Sequence, residues 1–180
     1  MKYLLYSHRF ADIIINSDYA IRQEIEKTID KIGIETIIER YKVDNAELIN
    51  KGKKSKVGMQ ASLNSIFREK FCEIGWEKEK NVFGDISNDL VIDFWKRDIG
   101  IDVAFNHRSF IGGDLLRLQA AGEVKNLINV GVYICGTKEF TKFLAPTESS
   151  SMVQFERVRW YLENFYAVLT VPIWLIGLEK

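Results

Sequence analysis

Leu90-Val91-Ile92-Asp93-Phe94-Trp95, then Lys96-Arg97-Asp98, then Ile99-Gly100-Ile101-Asp102-Val103-Ala104-Phe105 is the stretch that decides the fold. Both outer runs are rich in β-branched and aromatic side chains, and the charged triplet between them suits a turn. The stretch therefore predicts a β-hairpin. Asp93 and Asp102 each interrupt an apolar strand. A carboxylate in that setting is costly unless it is paired, hydrogen-bonded or bound to a metal. Two of them on adjacent strands can converge on one point, and hard cations such as Mg²⁺ take oxygen ligands of this kind while keeping several waters. Spacing alone leaves the plainer reading open, in which strand-end aspartates cap turns or meet a lysine.

Outward from the hairpin the period changes to that of helices. Ile21, Ile25, Ile29 and Ile32 recur at helical spacing between Asp18 and Arg40, with Gly33 as a break. Residues 44–58 hold Lys51, Lys53, Lys54 and Lys56 with two glycines and read as an exposed basic loop. Met59, Leu63, Ile66, Phe67 and Phe71 mark a helix over about 59–74. Beyond the hairpin, Gly112-Gly113-Asp114 offers a turn and an N-cap for a helix over about 115–124. Strands are expected at 3–6, 129–135 and 173–178, and a last amphipathic helix at about 152–166. Its aromatic residues Phe155, Trp160, Tyr161, Phe165 and Tyr166 suit core and subunit contact better than base stacking. Middle strands with helices on either side predict an α/β fold, a mixed central β-sheet flanked by helices, as a single domain over 1–180.

The chain has 180 residues, 47% hydrophobic and 28% charged, so folding should bury roughly 70% of its surface without staples. Twenty-five cations balance twenty-five anions; this removes any global positive field but leaves open a local one. Cys72 and Cys135 are too few for a disulfide framework or zinc site and are expected as core thiols in a reducing compartment. His8 and His107 are too few and too far apart for zinc, and His8 reads as structural or surface. No signal peptide or membrane span is legible, which points to the cytoplasm. No Gly-rich phosphate loop supports a small-molecule-binding α/β domain, the blandest alternative.

Val91-Ile92-Asp93-Phe94 through Ile101-Asp102-Val103-Ala104-Phe105 resembles the catalytic hairpin of type II restriction endonucleases of the BglII/BstYI group, relatives of BamHI within the PD-(D/E)xK nuclease superfamily. Ser55-Lys56-Val57-Gly58 with Leu63-Asn64 and Phe67, Val130-Gly131-Val132, and Val171-Pro172-Ile173-Trp174 through Leu178 resemble further segments of that group, in order, with a weaker echo at Tyr6-Ser7-His8. The resemblance implies a restriction-endonuclease-like fold and Mg²⁺-dependent hydrolysis of double-stranded palindromic DNA. It also implies a homodimer and a cognate DNA methyltransferase as companion. A GATC-core site is the group's habit.

By that resemblance Asp93 and Asp102 fall on the metal-binding Asp and Glu, and Asn64 on a helix that contributes metal or water contacts, with Glu69 as fallback. Ala104 falls where the group carries Gln or Glu, and alanine cannot orient a water. Three readings follow: neighbours such as Asn106, His107 and Arg108 take over, the site has been deliberately silenced, or the protein is a natural DNA binder that has lost hydrolysis. His107 and Arg108 therefore join Asn64 as catalytic candidates. Lys51, Lys53, Lys54, Lys56, Asn106 and Arg117 are the candidate DNA contacts, although Arg117 suits a salt bridge equally well. The helices beside the basic loop and the helix opened by Asp114 are the two options for a dimer interface.

Overall fold

The computed structural model describes residues 1–84 and 90–180. In chain order it places β1 (Tyr3–His8), α1 (Ala11–Ser17), α2 (Tyr19–Asp30), α3 (Ile34–Asn50), α4 (Gln60–Glu73), β2 (Glu77–Asn81), β3 (Val91–Lys96) and β4 (Ile99–Val103). There follow α5 (Ile111–Gln119), β5 (Val130–Gly136), α6 (Lys138–Leu144), α7 (Phe155–Asn164) and β6 (Ile173–Leu178). The strands form one sheet in the order β1-β6-β5-β4-β3-β2. β4, β5 and β6 run parallel to one another, while β1 joins β6, β3 joins β4 and β2 joins β3 antiparallel. This is the mixed sheet that the alternating strand and helix periods predict.

Every residue of β5 and β6 is buried, as expected of central strands covered on both faces. On one face Phe67 and Phe71 from α4 and Phe105 from the segment after β4 pack with Ile134 and Ile176. Phe71 meets Phe94 with ring centroids 4.9 Å apart, which ties α4 to the hairpin. On the other face Leu115, Leu118, Val158 and Leu162 from α5 and α7 cover Tyr133 and Leu175. The hairpin is thereby held between two separately packed layers. Lys96 adds a clasp, donating to both Glu24 oxygens at 3.0 and 2.8 Å and to the Ile74 carbonyl at 2.9 Å.

Several local expectations are corrected. The segment 44–58 is not all loop: α3 continues to Asn50, supported by Arg40 pairing one turn on with Asp44 at 2.9 Å, and the loop begins at Lys51. Gly33 does break the run, and it does so as the N-cap of α3. Gly112 and Gly113 lie inside α5 rather than before it, so Asp114 is a first-turn helix residue and not the cap. The helix ends in a π turn over Ala120–Val124, where Gly122 fits beneath Val171; a Cβ there would sit 2.6 Å from a Val171 methyl. Cys135 is buried as expected, but Cys72 is exposed. Of the aromatic stripe on α7, Phe155 is core, whereas Trp160, Phe165 and Tyr166 are exposed.

His8 is buried and ties the end of β1 to the entry of β6. Its Nε2 donates to the Leu169 carbonyl at 2.7 Å, and its Nδ1 has no partner. Burial pushes the His8 imidazole below its ordinary range, and the Arg9 cation adds to that against the Leu169 carbonyl. Unfolded His8 titrates near the ordinary value of about 6.5, so below it only the unfolded chain gains the proton. His8 thus contributes stability above that pH which is lost as the pH falls through it. The expected result is that the urea midpoint of wild type drops more steeply than that of His8→Gln between pH 7 and about 5.5. Parallel profiles would show that folded His8 takes up its proton as readily as the unfolded chain does.

Candidate active site

The hairpin register pairs Phe94 with Ile101 and Lys96 with Ile99, and one step further it sets Asp93 opposite Asp102. There the backbone ladder gives way to side-chain bonds. Asp93 Oδ2 accepts from the Val103 amide at 2.8 Å, and Asp102 Oδ1 accepts from the Asp93 amide at 3.3 Å. Each carboxylate thus substitutes for a carbonyl that the diverging strands no longer present. On the far side, β2 pairs Lys78 with Phe94 and Lys80 with Ile92, which puts Glu79 opposite Asp93. Glu79 takes left-handed backbone (φ 56°) and bonds Arg68 of α4. Three acidic residues therefore stand in a row across three neighbouring strands.

A cavity of about 440 Å³ opens above them, lined by Asn64, Arg68, Glu79, Asp93, Asp102 and Asn106 among others. Ala104 also lines it and offers only a methyl group. Asp102 is 1% exposed. Arg117 of α5 meets it through Nε at 3.2 Å and Nη2 at 2.9 Å, both on Oδ2. The same Nη2 donates to Asp114 Oδ1 at 3.0 Å, and the Tyr133 hydroxyl donates to Asp114 Oδ2 at 2.8 Å. Asp114 therefore braces the arginine from below.

Burial raises the Asp102 carboxyl to about 7, with the Asp93 charge adding and the Arg117 charge opposing. Burial likewise raises Asp93, against the Val103 amide and Arg117, and raises Asp114, against Tyr133 and Arg117. Burial also lifts the Tyr133 hydroxyl well above its ordinary range, with the Asp114 charge next. For Arg117 burial favours losing the proton, yet the neighbouring carboxylates outweigh it and hold the guanidinium charged. Carboxylates kept this far above their ordinary range gain from an added cation, which returns them to the ionised state.

The donor set fits a hard divalent ion. Asp93 Oδ1 takes no bond from the described residues, and Asp93 lines the same cavity as Asp102. Among the described residues no group of three or more His, Cys, Asp or Glu gathers as a metal cage. Mg²⁺ bound through one or two carboxylates and several waters needs none.

The structure sorts the predicted residues. Asn64, Asn106 and Arg117 line the cavity with Asp93 and Asp102. His107 and Arg108 do not; they line an adjoining cleft with Arg157 and Trp160. His107 bonds Ser109, and Arg108 reaches the Ser150 carbonyl at 3.5 Å. The exposed strand-to-helix turn carries them past the carboxylates, so proximity in sequence did not bring them into the same cavity. Glu69 is drawn away by Arg40, at 2.7 and 3.0 Å. Lys51, Lys53, Lys54 and Lys56 are all exposed, on a loop whose end is fixed by Asn45 and Tyr41 bonding the Lys56 backbone. Glu79 was missed because Glu77-Lys78-Glu79-Lys80 has no apolar period; only its register against Asp93 reveals it.

The acidic β3–β4 hairpin thus sits inside a mixed sheet flanked by helices, an α/β fold. The chain belongs to the BglII/BglIII restriction endonuclease family, whose model matches residues 3–178. In fold it is similar to the crystal structure of restriction endonuclease BglII complexed with a DNA 16-mer, with a TM-score of 0.74 at 22% identity, covering 100% of this chain and 79% of that one. No curated protein matches the sequence.

Proposed function

We propose that the protein is a type II deoxyribonuclease that cuts double-stranded palindromic DNA with Mg²⁺ held by Asp93 and Asp102. The observation that carries this is the facing pair of carboxylates, Asp102 buried and Asp93 half-buried, that lines one cavity on a chain of this family. When bound, the ion polarises the scissile phosphate and lowers the pKa of a coordinated water. Asp93 supplies an uncommitted oxygen, and Asp102 supplies a carboxylate already fixed at both oxygens by Arg117 and the Asp93 amide. The amides of Asn64 and Asn106 present donors and acceptors to a phosphate or a water in the same cavity. Ala104 contributes nothing polar, so those neighbours do the orienting.

The basic loop supplies phosphate contacts. Lys53, Lys54 and Lys56 have no ionic partner among the described residues, whereas Lys51 leans on Glu47 at 3.6 Å. Replacing those three by Gln is expected to reduce the slope of log binding constant against log salt by about 3. An unchanged slope, measured by fluorescence anisotropy, would remove the loop from the interface.

A palindrome has a two-fold axis, and cutting both strands calls for two copies related by it. The exposed apolar surface of α5, α7 and the turn after α7, carrying Leu116, Trp160, Phe165 and Val168, is the one we assign to the second copy. Trp160→Glu should convert a dimer to a monomer by light scattering; a monomeric wild type would contradict the assignment. The protein then acts in the cytoplasm, with a DNA methyltransferase protecting host sites. Among the described residues no helix is long and apolar enough to cross a membrane.

Ala104 favours one competing reading, a silenced protein that binds a specific duplex without cutting it. Plasmid nicking in Mg²⁺ separates the two. Cleavage by wild type supports the nuclease. Cleavage only by Ala104→Glu or Ala104→Gln would establish the silenced binder.

A further inference from the structure

We infer that Arg108 and Arg157 form a clamp that closes on one phosphate of the duplex backbone, in the cleft beside the carboxylate cavity. The inference rests on the reading of the chain as a DNA-cutting enzyme and adds a separate point of hold on its substrate. Six of the nine arginines are ion-paired: Arg22, Arg40, Arg68, Arg97, Arg117 and Arg159 each meet a carboxylate. Arg9 is occupied differently, by the Leu169 and Tyr166 carbonyls and the Tyr166 ring. Arg108 and Arg157 have no acidic partner among the described residues. They share one neutral acceptor, the Ser150 carbonyl, at 3.5 and 3.2 Å. The first distance is long for an N–H···O bond and the second lies at the edge of the usual range, so neither side chain is firmly held.

Two like charges gathered on one carbonyl repel, and the partial charge of that oxygen does not offset two full ones. An anion set between them does, and a guanidinium fork matches the oxygens of a phosphate. Glu156 also lines the cleft, but its Oε1 accepts from the Lys138 amide at 3.2 Å and it pairs with neither arginine. The two sides of the clamp are tied together. The Val153 amide donates to the Asn106 carbonyl at 3.0 Å, His107 bridges Met152, and Gln154 Nε2 donates to the Ser149 carbonyl at 2.9 Å. Asn106 lines the carboxylate cavity, and Arg108, two residues on, lines the cleft. Two residues of chain span at most about 7 Å, which is about two nucleotide steps along a strand. The phosphate in the clamp is therefore a near neighbour of the one over Asp93 and Asp102.

The test is the salt dependence of duplex retention in EDTA, read by fluorescence anisotropy on a short labelled duplex. Replacing both arginines by Gln is expected to lower the slope of log binding constant against log salt by about 1, because two cations act on one phosphate. A loss of about 2 would mean two separate phosphates, and an unchanged slope would mean none; either overturns the clamp. Replacing both by Lys keeps the charge and is expected to keep the slope. A loss there as well would trace the effect to the folding of the cleft and overturn the clamp. Inorganic phosphate, titrated by calorimetry without DNA, separates the other source of the same anion. Binding that needs both arginines, together with an unchanged slope on duplex, would assign the cleft to a free anion instead. Failure of wild type to retain duplex even at low salt would overturn the nuclease reading itself, and the inference with it.

Discussion

Asp93→Asn is expected to lower Mg²⁺-dependent cleavage of duplex DNA by on the order of 10³-fold. Retention of the duplex should stay near wild type. The substitution keeps the shape of the side chain and its acceptor toward the Val103 amide, so the hairpin has no reason to open. What it removes is the charge on the carboxylate whose second oxygen is uncommitted. The phosphate contacts we propose lie elsewhere, on the exposed loop between α3 and α4 and in the cleft of Arg108 and Arg157, and do not depend on that charge. Cleavage rates on plasmid and anisotropy on a short duplex give the two readouts separately. A variant that cuts within about tenfold of wild type would move the reacting centre away from Asp93.

Arg117→Met is expected to destabilise the protein in EDTA by about 3–5 kcal/mol, the largest single effect on stability in this account. Methionine fills much the same volume but leaves Asp102 and Asp114 buried without their cation. The carboxylates relieve part of that by taking protons, so the loss should grow as the pH rises. Urea unfolding at pH 6 and pH 8 checks both the size and the direction. A loss under about 1 kcal/mol would mean the pair behaves as an exposed surface bridge, with water reaching Asp102.

Much of this arrangement is legible in the sequence where chemistry and context clash. Asp93 and Asp102 stand out because each breaks an apolar strand, and β6 is read to its ends because a fully buried strand is one apolar run. Elements made by tertiary contact are not legible. β2 is a charged pentapeptide with no alternation, and it becomes a strand only because β3 offers an edge to pair with. α1 is seven residues long and carries the run Ile13-Ile14-Ile15, which local propensity assigns to a strand. α6 is as short, and is started by Thr137 accepting from the Phe140 amide at 3.3 Å.

At the site the same division holds. Arg117 lies fifteen residues beyond Asp102, and nothing in that spacing says that α5 folds back over β4 to bring them within 2.9 Å. Asp114 follows two glycines, the usual dress of an N-cap, and only the buried Tyr133 beneath it shows its other task. His107 and Arg108 show the converse. Closeness in sequence to Asp102 made them candidates, and an exposed turn carries them to the adjoining cleft.

The most direct test of the central claim is to incubate purified wild type with unmethylated phage-size DNA, in Mg²⁺ and separately in EDTA, and to sequence the ends produced. The expected result is discrete fragments in Mg²⁺ alone, with every end at one short palindrome cut symmetrically on both strands. Intact DNA in both conditions, or ends scattered without a common sequence, would contradict it.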